Sequence, residues 1–201
     1  SSRHFFCCFM LNTIFAKKIG MGLKYALGGK RLGVTNLRVP KIEIAGMRTT
    51  AKHGYSAVAL KLQDSNRKPQ LREVRVKSDF SDLEAGKAVE WTGVFNPGDK
   101  VKVTGVSKGH GFTGVVKRYH FKGGPRTHGQ SDRERARGSS GPTTTPGRVL
   151  PGKRMAGRMG NQKVTIKGLK IVEVDGTNGV ISLSGPVPGS RAQWVRIEKY
   201  G

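Results

Sequence analysis

Polar and apolar residues alternate along several short segments of the chain, and this alternation predicts β-strands. Before residue 107 the segments are Lys41–Ala45, Tyr55–Leu62 (less cleanly), Leu71–Val76 and Lys100–Val106. Successive side chains of a strand point to opposite faces, so each segment would bury one face and expose the other. The one helix predicted is short, over Ser81–Val89, with Ser81 or Asp82 as its N-cap.

A second group of strands is predicted after residue 163. Val164–Val174 is rich in β-branched residues, Asp175–Gly179 is a turn sequence, and Val180–Ser184 returns the chain, which together predict a β-hairpin. A last short strand is predicted at Trp194–Ile197. Many short strands closed by turns are typical of a small β-barrel, so we predict a mainly β fold with little helix.

The segment between these two groups has almost nothing to place in a core. After Phe121, the apolar side chains before Lys163 are Ala136, Val149, Leu150, Met155, Ala156 and Met159. Ordering the backbone costs ~1–2 kcal/mol per residue, and so few side chains cannot offset that cost. We therefore predict a barrel of residues 10–106 and 164–201, with residues 107–163 inserted as an extended loop that a partner orders.

The chemistry of that partner follows from charge. The chain has a formal net charge of +24 and a pI near 10.7, which favours a polyanion. Within the loop only Asp132 and Glu134 oppose the many cations. Aromatic residues make up 7% of the chain, and none lies between Phe121 and Trp194. Stacking on single strands usually needs more, so phosphate and groove contacts to folded RNA are the favoured interpretation.

Other function classes find little support. No stretch approaches the roughly 20 apolar residues of a spanning helix, so we expect no membrane partner. Cys7 and Cys8 are adjacent and have no second pair, which predicts neither zinc nor a disulfide framework and favours a reduced setting. Gly28-Gly29-Lys30 lacks the spacing of a phosphate loop, and the five histidines have no ligand-spaced partners. We predict no catalytic residues, metal, cofactor or small-molecule substrate.

The first residues allow two interpretations. Phe5–Phe15, with Arg3 before it, has the apolar character of a short secretory segment, although Asn12 and Thr13 interrupt it. The alternative is that the chain starts naturally at Met10. We expect residues 1–9 to be an extension that is either non-native or disordered.

Ser107–Gly114 combines glycines with basic residues. Gly109, Gly111 and Gly114 permit close backbone approach to phosphate, and Lys108 adds charge. A plain flexible loop is the alternative, but the basic residues that follow favour RNA.

Several motifs together resemble the bacterial form of the large-subunit ribosomal protein three family. The similarity runs from about Met10 to Ile197, and its strongest part is Gly152–Asn161. The other matching segments are Lys17–Met21, Val103–Phe112, Gly114–Arg118, Phe121–Gly129, Thr145–Val149 and Gly185–Gly189.

The resemblance implies a translation-protein-type β-barrel on the surface of the large subunit. Its loop would reach through ribosomal RNA toward the peptidyl-transferase centre, with the tip at residues 138–146. It also implies an early assembly protein that contacts this RNA and neighbouring ribosomal proteins, in the cytoplasm or in an organelle. A non-ribosomal RNA-binding protein or RNA chaperone is the alternative function, and a secreted cationic peptide precursor is a more distant one.

Candidate RNA-binding residues combine the basic pattern with the resemblance. Arginine suits bidentate phosphate contacts, and tip hydroxyls suit crowded sites. The candidates are Lys17, Lys18, Lys108, His110, Lys117, Arg118, Lys122, Arg126, His128, Arg133, Arg135, Arg137, Ser139, Ser140, Thr143, Thr144, Thr145, Arg148, Lys153, Arg154, Arg158, Asn161 and Lys163. Glycines expected to let the backbone follow RNA grooves are Gly123, Gly124, Gly129, Gly141, Gly147, Gly152, Gly157 and Gly160.

The tip departs from the family pattern. Arg137 stands where many bacterial members have proline, and Ser140 stands where they have isoleucine. Thr144 occupies the position of a glutamine that some lineages methylate on its side-chain amide. A hydroxyl cannot take that modification, so we expect no methylation here.

Overall fold

The computed structural model describes residues 12–25, 28–64, 68–76 and 84–200. Within them lie two short helices, α1 (Thr50–His53) and α2 (Val115–Tyr119). The strands are β1 (Thr13–Tyr25), β2 (Arg31–Arg38), β3 (Lys41–Arg48), β4 (Ala57–Gln63), β5 (Gln70–Arg75), β6 (Lys100–Val106), β7 (Gly111–Thr113), β8 (Gly157–Met159), β9 (Lys163–Asp175), β10 (Val180–Ser184) and β11 (Trp194–Lys199). The fold is mainly β with little helix, as predicted.

Six strands close into a barrel in the order β1-β11-β6-β9-β10-β2, all in antiparallel pairs. A separate three-stranded antiparallel sheet has the order β3-β4-β5. Closure leaves no free edge in the barrel, which removes the unpaired backbone groups that an open sheet would present.

The barrel and the three-stranded sheet contribute to one hydrophobic cluster. β3 buries the alternate residues Ile42 and Ile44, and β4 buries Val58, Leu60 and Leu62 in the same period-2 pattern, with Ala57 buried as well. Full burial of such a side chain contributes about 1.5–3 kcal/mol. The largest fully buried members of the cluster are Ile14, Leu37, Ile44, Leu60, Leu62, Phe95, Ile171, Ile181, Leu183 and Ile197.

The predicted hairpin is present as β9 and β10. Asp175 pairs with Val180 across the turn. The Asp175 carboxylate accepts hydrogen bonds from the backbone and side chains of Thr177 and Asn178, at 2.6–3.2 Å. These donors lower the pKa of Asp175 to about 2, with the Thr177 hydroxyl as the largest cause. The turn is therefore built around an ionised carboxylate.

Two elements differ from the prediction. β1 and β2 were not predicted as strands from alternation: β1 contains a bulge between Lys18 and Gly20 that shifts its register, and β2 buries the adjacent residues Val34 and Thr35. The predicted helix Ser81–Val89 begins outside the described residues, and its described part, residues 84–89, is not helical. There Gly86 and Val89 donate backbone hydrogen bonds to Ile44 and Ile42 of β3.

The N-terminal predictions, for residues 1–9 and for most of the Phe5–Phe15 run, lie outside the described residues. No helix within the described part of the chain has the length and apolar character needed to cross a membrane.

The chain divides into two compact units. One, the barrel unit, comprises the residues up to Ser107 and from Lys163 onward. The other is Lys108–Gln162, called the arm below. The strands of the barrel unit that precede and follow the arm are paired: Val106 of β6 lies directly opposite Lys163 of β9. The arm is therefore a long connection between two paired strands.

Candidate RNA interface

The arm combines high positive charge with very little burial. It holds twelve Lys and Arg residues and only two acidic ones, Asp132 and Glu134. Every residue from 116 to 162 is described, and none of them is buried. A segment of this kind has no core to hold it, and its charge is available to a polyanion.

Two stretches, residues 108–121 and 155–162, come together and form the arm root. β7 and β8 pair antiparallel, so that Gly111, Phe112 and Thr113 lie opposite Met159, Arg158 and Gly157. The His110 backbone N–H donates to the Met159 carbonyl at 2.9 Å and extends this ladder. The root therefore has regular hydrogen bonding of its own.

Glycines allow the arm's backbone segments to approach each other. A Cβ at Gly160 would overlap the carbonyl oxygen of Lys108, and a Cβ at Gly123 would overlap that of Glu134. At Gly124 a Cβ would lie 2.9 Å from the Arg133 carbonyl oxygen. These glycines were expected to let the backbone follow RNA grooves. Inside the arm, the absence of a side chain at each of them already allows two backbone segments to approach each other.

Other arm glycines remain open. No atom lies within 4 Å of a Cβ built at Gly129, Gly141 or Gly152, and each has a positive φ. Their backbone can approach a partner, as the sequence interpretation requires.

Arg118 ties the two stretches of the arm root together. Its Nη1 donates to the Met155 carbonyl oxygen at 2.8 Å, and its guanidinium lies 5.0 Å from the ring centroid of Tyr119. Arg154 also contacts that ring, at 5.5 Å. At these distances both guanidinium groups make cation–π contacts with Tyr119. Arg118, predicted to bind phosphate, thus has a structural role as well.

Three further predicted arginines have partners inside the arm. Arg126 forms an ion pair with Glu134 at 2.7 Å, and Arg133 lies 3.9 Å from Asp132. Arg137 donates to the Ser140 hydroxyl at the tip. Arg126 and Arg133 are largely exposed, so their ion pairs contribute little stability and leave the nitrogens accessible, whereas Arg137 and Ser140 are half-buried.

The remaining predicted cations of the arm are exposed, and within the described residues none forms an ion pair. Such side chains are the strongest candidates for phosphate contacts. They are Lys108, Lys117, Lys122, Arg135, Arg148, Lys153, Arg154 and Arg158, joined by Lys163 at the first residue of β9.

The polar candidates of the arm are also accessible. The Ser139 hydroxyl bonds the backbone of Gly141, donating to its carbonyl at 3.1 Å, which shapes the tip. Ser140 is half-buried. The tip threonines Thr143, Thr144 and Thr145, together with His110, His128 and Asn161, are exposed.

Lys17 and Lys18 are engaged within the barrel unit. The Lys17 ammonium group binds Asp64 and lies 4.8 Å from the Trp194 ring centroid. The Lys18 ammonium group donates to the carbonyls of Val187 at 2.6 Å and Gly189 at 3.1 Å. Both were predicted to bind RNA, yet these contacts give them a structural function in the barrel.

Phe112 is a residue that the sequence interpretation passed over. Its side chain is 81% exposed, although it occupies the centre of β7. The signal was present in the sequence, since Phe112 lies among glycines and basic residues and neither adjacent residue is apolar.

No group of side chains in the described ranges has the composition of a metal site.

A closed antiparallel barrel with a long cationic insertion between two paired strands defines a β-barrel protein built to hold a polyanion. A family model described as ribosomal protein L3 matches residues 57–197. The chain belongs to the ribosomal protein L3 family.

Bacterial relatives agree with this assignment along nearly the whole chain. The chain is 41% identical to the large ribosomal subunit protein uL3 of Dehalococcoides mccartyi, covering 96% of this chain and 100% of that protein. It is 41% identical to the uL3 of Herpetosiphon aurantiacus, with 94% and 97% covered, and 40% identical to that of Chloroherpeton thalassium, with 93% and 98% covered.

Proposed function

We propose that this protein is a structural constituent of the large ribosomal subunit, where it binds ribosomal RNA and neighbouring ribosomal proteins. One observation carries the proposal: the arm holds twelve basic residues and, beyond residue 115, no buried side chain. Beyond the arm root, such a segment becomes ordered only when a partner supplies both its counter-charge and its contacts. Membership of the family supports large-subunit RNA as that partner.

The barrel unit and the arm have different roles in this proposal. The barrel unit has its own core and acts as the fixed part. The arm penetrates the RNA toward the peptidyl-transferase centre, with residues 138–146 leading. The exposed cations neutralise phosphates, while the tip threonines donate hydrogen bonds where a long cationic side chain does not fit. No reaction is part of this function.

An early place in assembly follows from the same physics. RNA helices carrying dense negative charge repel each other when they pack, and a cationic arm between them relieves that repulsion. An arm that is threaded between helices has to be present before they close around it. We therefore include nucleation of early assembly in the proposal.

Sedimentation tests the proposal against its alternative. A tagged copy expressed in a bacterium in place of the resident protein should co-sediment with salt-washed large subunits at one copy per particle. A non-ribosomal RNA chaperone would be substoichiometric and would leave mature particles. Loss of the tagged protein from mature subunits would contradict the structural role.

A further inference from the structure

Phe112 has the most exposed of the large apolar side chains that the structure describes, at 81%. Leaving a phenylalanine in water forgoes about 25 cal/mol for each Å² of apolar surface that burial would remove. The ring is nevertheless held in position, because β7 is paired with β8 on one side and continues into α2. The arm root therefore presents an ordered aromatic ring to its surroundings.

The two neighbours of Phe112 in β7 do not cover its ring. The neighbour on one side is Gly111, which has no side chain. The other neighbour, Thr113, is buried and turns its hydroxyl back to the His110 carbonyl at 3.3 Å. Alternate residues of a strand point to opposite faces, so Phe112 projects from the face opposite to Thr113.

A cation lies on the same face as the ring. Phe112 is directly opposite Arg158 in the antiparallel register of β7 and β8, and directly opposed residues share a face. Arg158 is exposed and forms no ion pair with a described carboxylate. The face thus combines an aromatic ring with an adjacent guanidinium group.

We infer that Phe112 is a stacking platform for one unpaired nucleobase of ribosomal RNA, and that Arg158 binds the phosphate of that nucleotide. The inference rests on the proposed function. Charge complementarity identifies the occupant: the ring is directly opposite Arg158, in an arm with twelve Lys and Arg residues and two acidic ones, and this excess of positive charge suits a polyanion. Nucleobases stack well on aromatic side chains, and a phosphate lies within reach of a neighbouring guanidinium.

The nucleobase has to be unpaired. Inside a duplex both faces of each base are covered by its neighbours, so a phenylalanine ring can stack only on a base in a loop or bulge, or at a helix end. The arm would then recognise an RNA structure at its root, in addition to neutralising charge along its length.

Binding of the full-length protein to purified bacterial large-subunit ribosomal RNA tests the platform. We expect Phe112→Leu to weaken binding by up to about 5- to 140-fold, the range for loss of one stacked base. Phe112→Tyr, which keeps an aromatic face, should bind as the unaltered protein does. Leu150→Ala is the matched control, because Leu150 is another exposed apolar residue of the arm.

The dependence on salt separates the two roles. Phe112→Leu should change affinity equally at all salt concentrations, because a phenylalanine releases no counterion. Arg158→Ala should make the slope of log K against log salt shallower by about 0.7–0.9, the value for one phosphate.

Each other outcome has a defined meaning. Unchanged RNA affinity of Phe112→Leu would overturn the platform, and if that variant instead failed to recruit other ribosomal proteins, the ring would be a protein contact. If Phe112→Leu binds RNA normally and the unaltered protein still sediments with large subunits, the stacking platform is wrong but the proposed function stands. Failure of the unaltered protein to bind the RNA would contradict the proposed function itself.

Discussion

A Cβ placed on Gly157 would lie 2.6 Å from Nη1 of the Arg118 guanidinium. This is closer than side chains pack, so any residue larger than glycine has to displace Arg118. The displaced group would lose its hydrogen bond to the Met155 carbonyl. The close approach makes Gly157 and Arg118 a single structural feature of the arm root.

Gly157→Ala should therefore loosen the arm root. Loss of one such hydrogen bond, here to a charged donor, destabilises by about 1.5–3 kcal/mol where the group is buried and by less at this partly exposed site. Hydrogen exchange of the His110 amide, which bonds the Met159 carbonyl, should accelerate. Gly109→Ala is the control, because a Cβ there meets Asn161 at an ordinary 3.5 Å. Equal exchange in both variants would contradict the linkage.

Limited proteolysis of the free protein should cut the arm before the barrel unit. Residues 126–153 have no strand or helix and no buried side chain, so trypsin should cleave there first. Lys117 and Arg118 lie in α2 and should be cleaved later. Mass spectrometry of the first fragments identifies the sites. First cleavage within β6 or β9 would oppose the division into a stable barrel and a labile arm.

Replacing Lys108–Gln162 with a four-residue glycine-rich linker should leave the barrel folded. Val106 and Lys163 are already paired, so a short turn can join the two strands. Shortening the loop should stabilise the barrel by at most roughly 2 kcal/mol, since closure cost grows with the logarithm of loop length and the ordered arm root already shortens the effective loop. Thermal unfolding followed by circular dichroism measures this. The shortened protein should fail to enter large subunits, and normal subunits containing it would contradict the role of the arm.

Salt dependence should separate RNA-facing lysines and arginines from structural ones. Replacing Arg154 and Arg158 together by alanine should reduce the slope of log K against log salt by roughly one to two units. Lys18→Ala should leave the slope unchanged, because the Lys18 ammonium group binds the carbonyls of Val187 and Gly189. It should instead lower the free energy of unfolding by about 1.5–3 kcal/mol. If Lys18→Ala reduced the slope and the double variant did not, Lys18 would be the residue that contacts RNA, and Arg154 and Arg158 would not contact phosphate.

The turn at Asp175 should stabilise the barrel unit only while its carboxylate is ionised. Hydrogen bonds from Thr177 and Asn178 lower the pKa in the folded state to about 2, below the ordinary value of 3.8. The contribution is therefore complete above about pH 5 and is lost as pH falls from about 4 through 2. Carboxyl chemical shifts measured by NMR give the pKa directly. Unfolding of Asp175→Asn should lack this component, and a measured pKa near 4 would contradict the prediction.

Part of the fold could be predicted from local sequence patterns. The hairpin of β9 and β10 followed from β-branched runs around Asp175–Gly179, and β6 was predicted with its observed limits. β1 could not be predicted in this way, because its bulge after Lys18 breaks the alternation on which such predictions depend.

The candidate RNA interface was also predictable only in part. Its location followed from charge and from missing core residues, both of which are properties of composition. Which glycines face RNA and which face the arm itself was not predictable, because that depends on contacts between distant residues such as Gly160 and Lys108. The structural use of Lys18 was hidden for the same reason, since its partners lie 169 and 171 residues away.

The pairing of Val106 with Lys163 constrains how the arm can change in length. These two residues flank the arm and are paired with each other, so a residue added near the tip shifts neither β6 nor β9. A residue added between Lys108 and Gly111 would instead move β7 out of step with β8 and bring a side chain against Gly160. The arm is thus free to lengthen at its far end and fixed in register where it leaves the barrel.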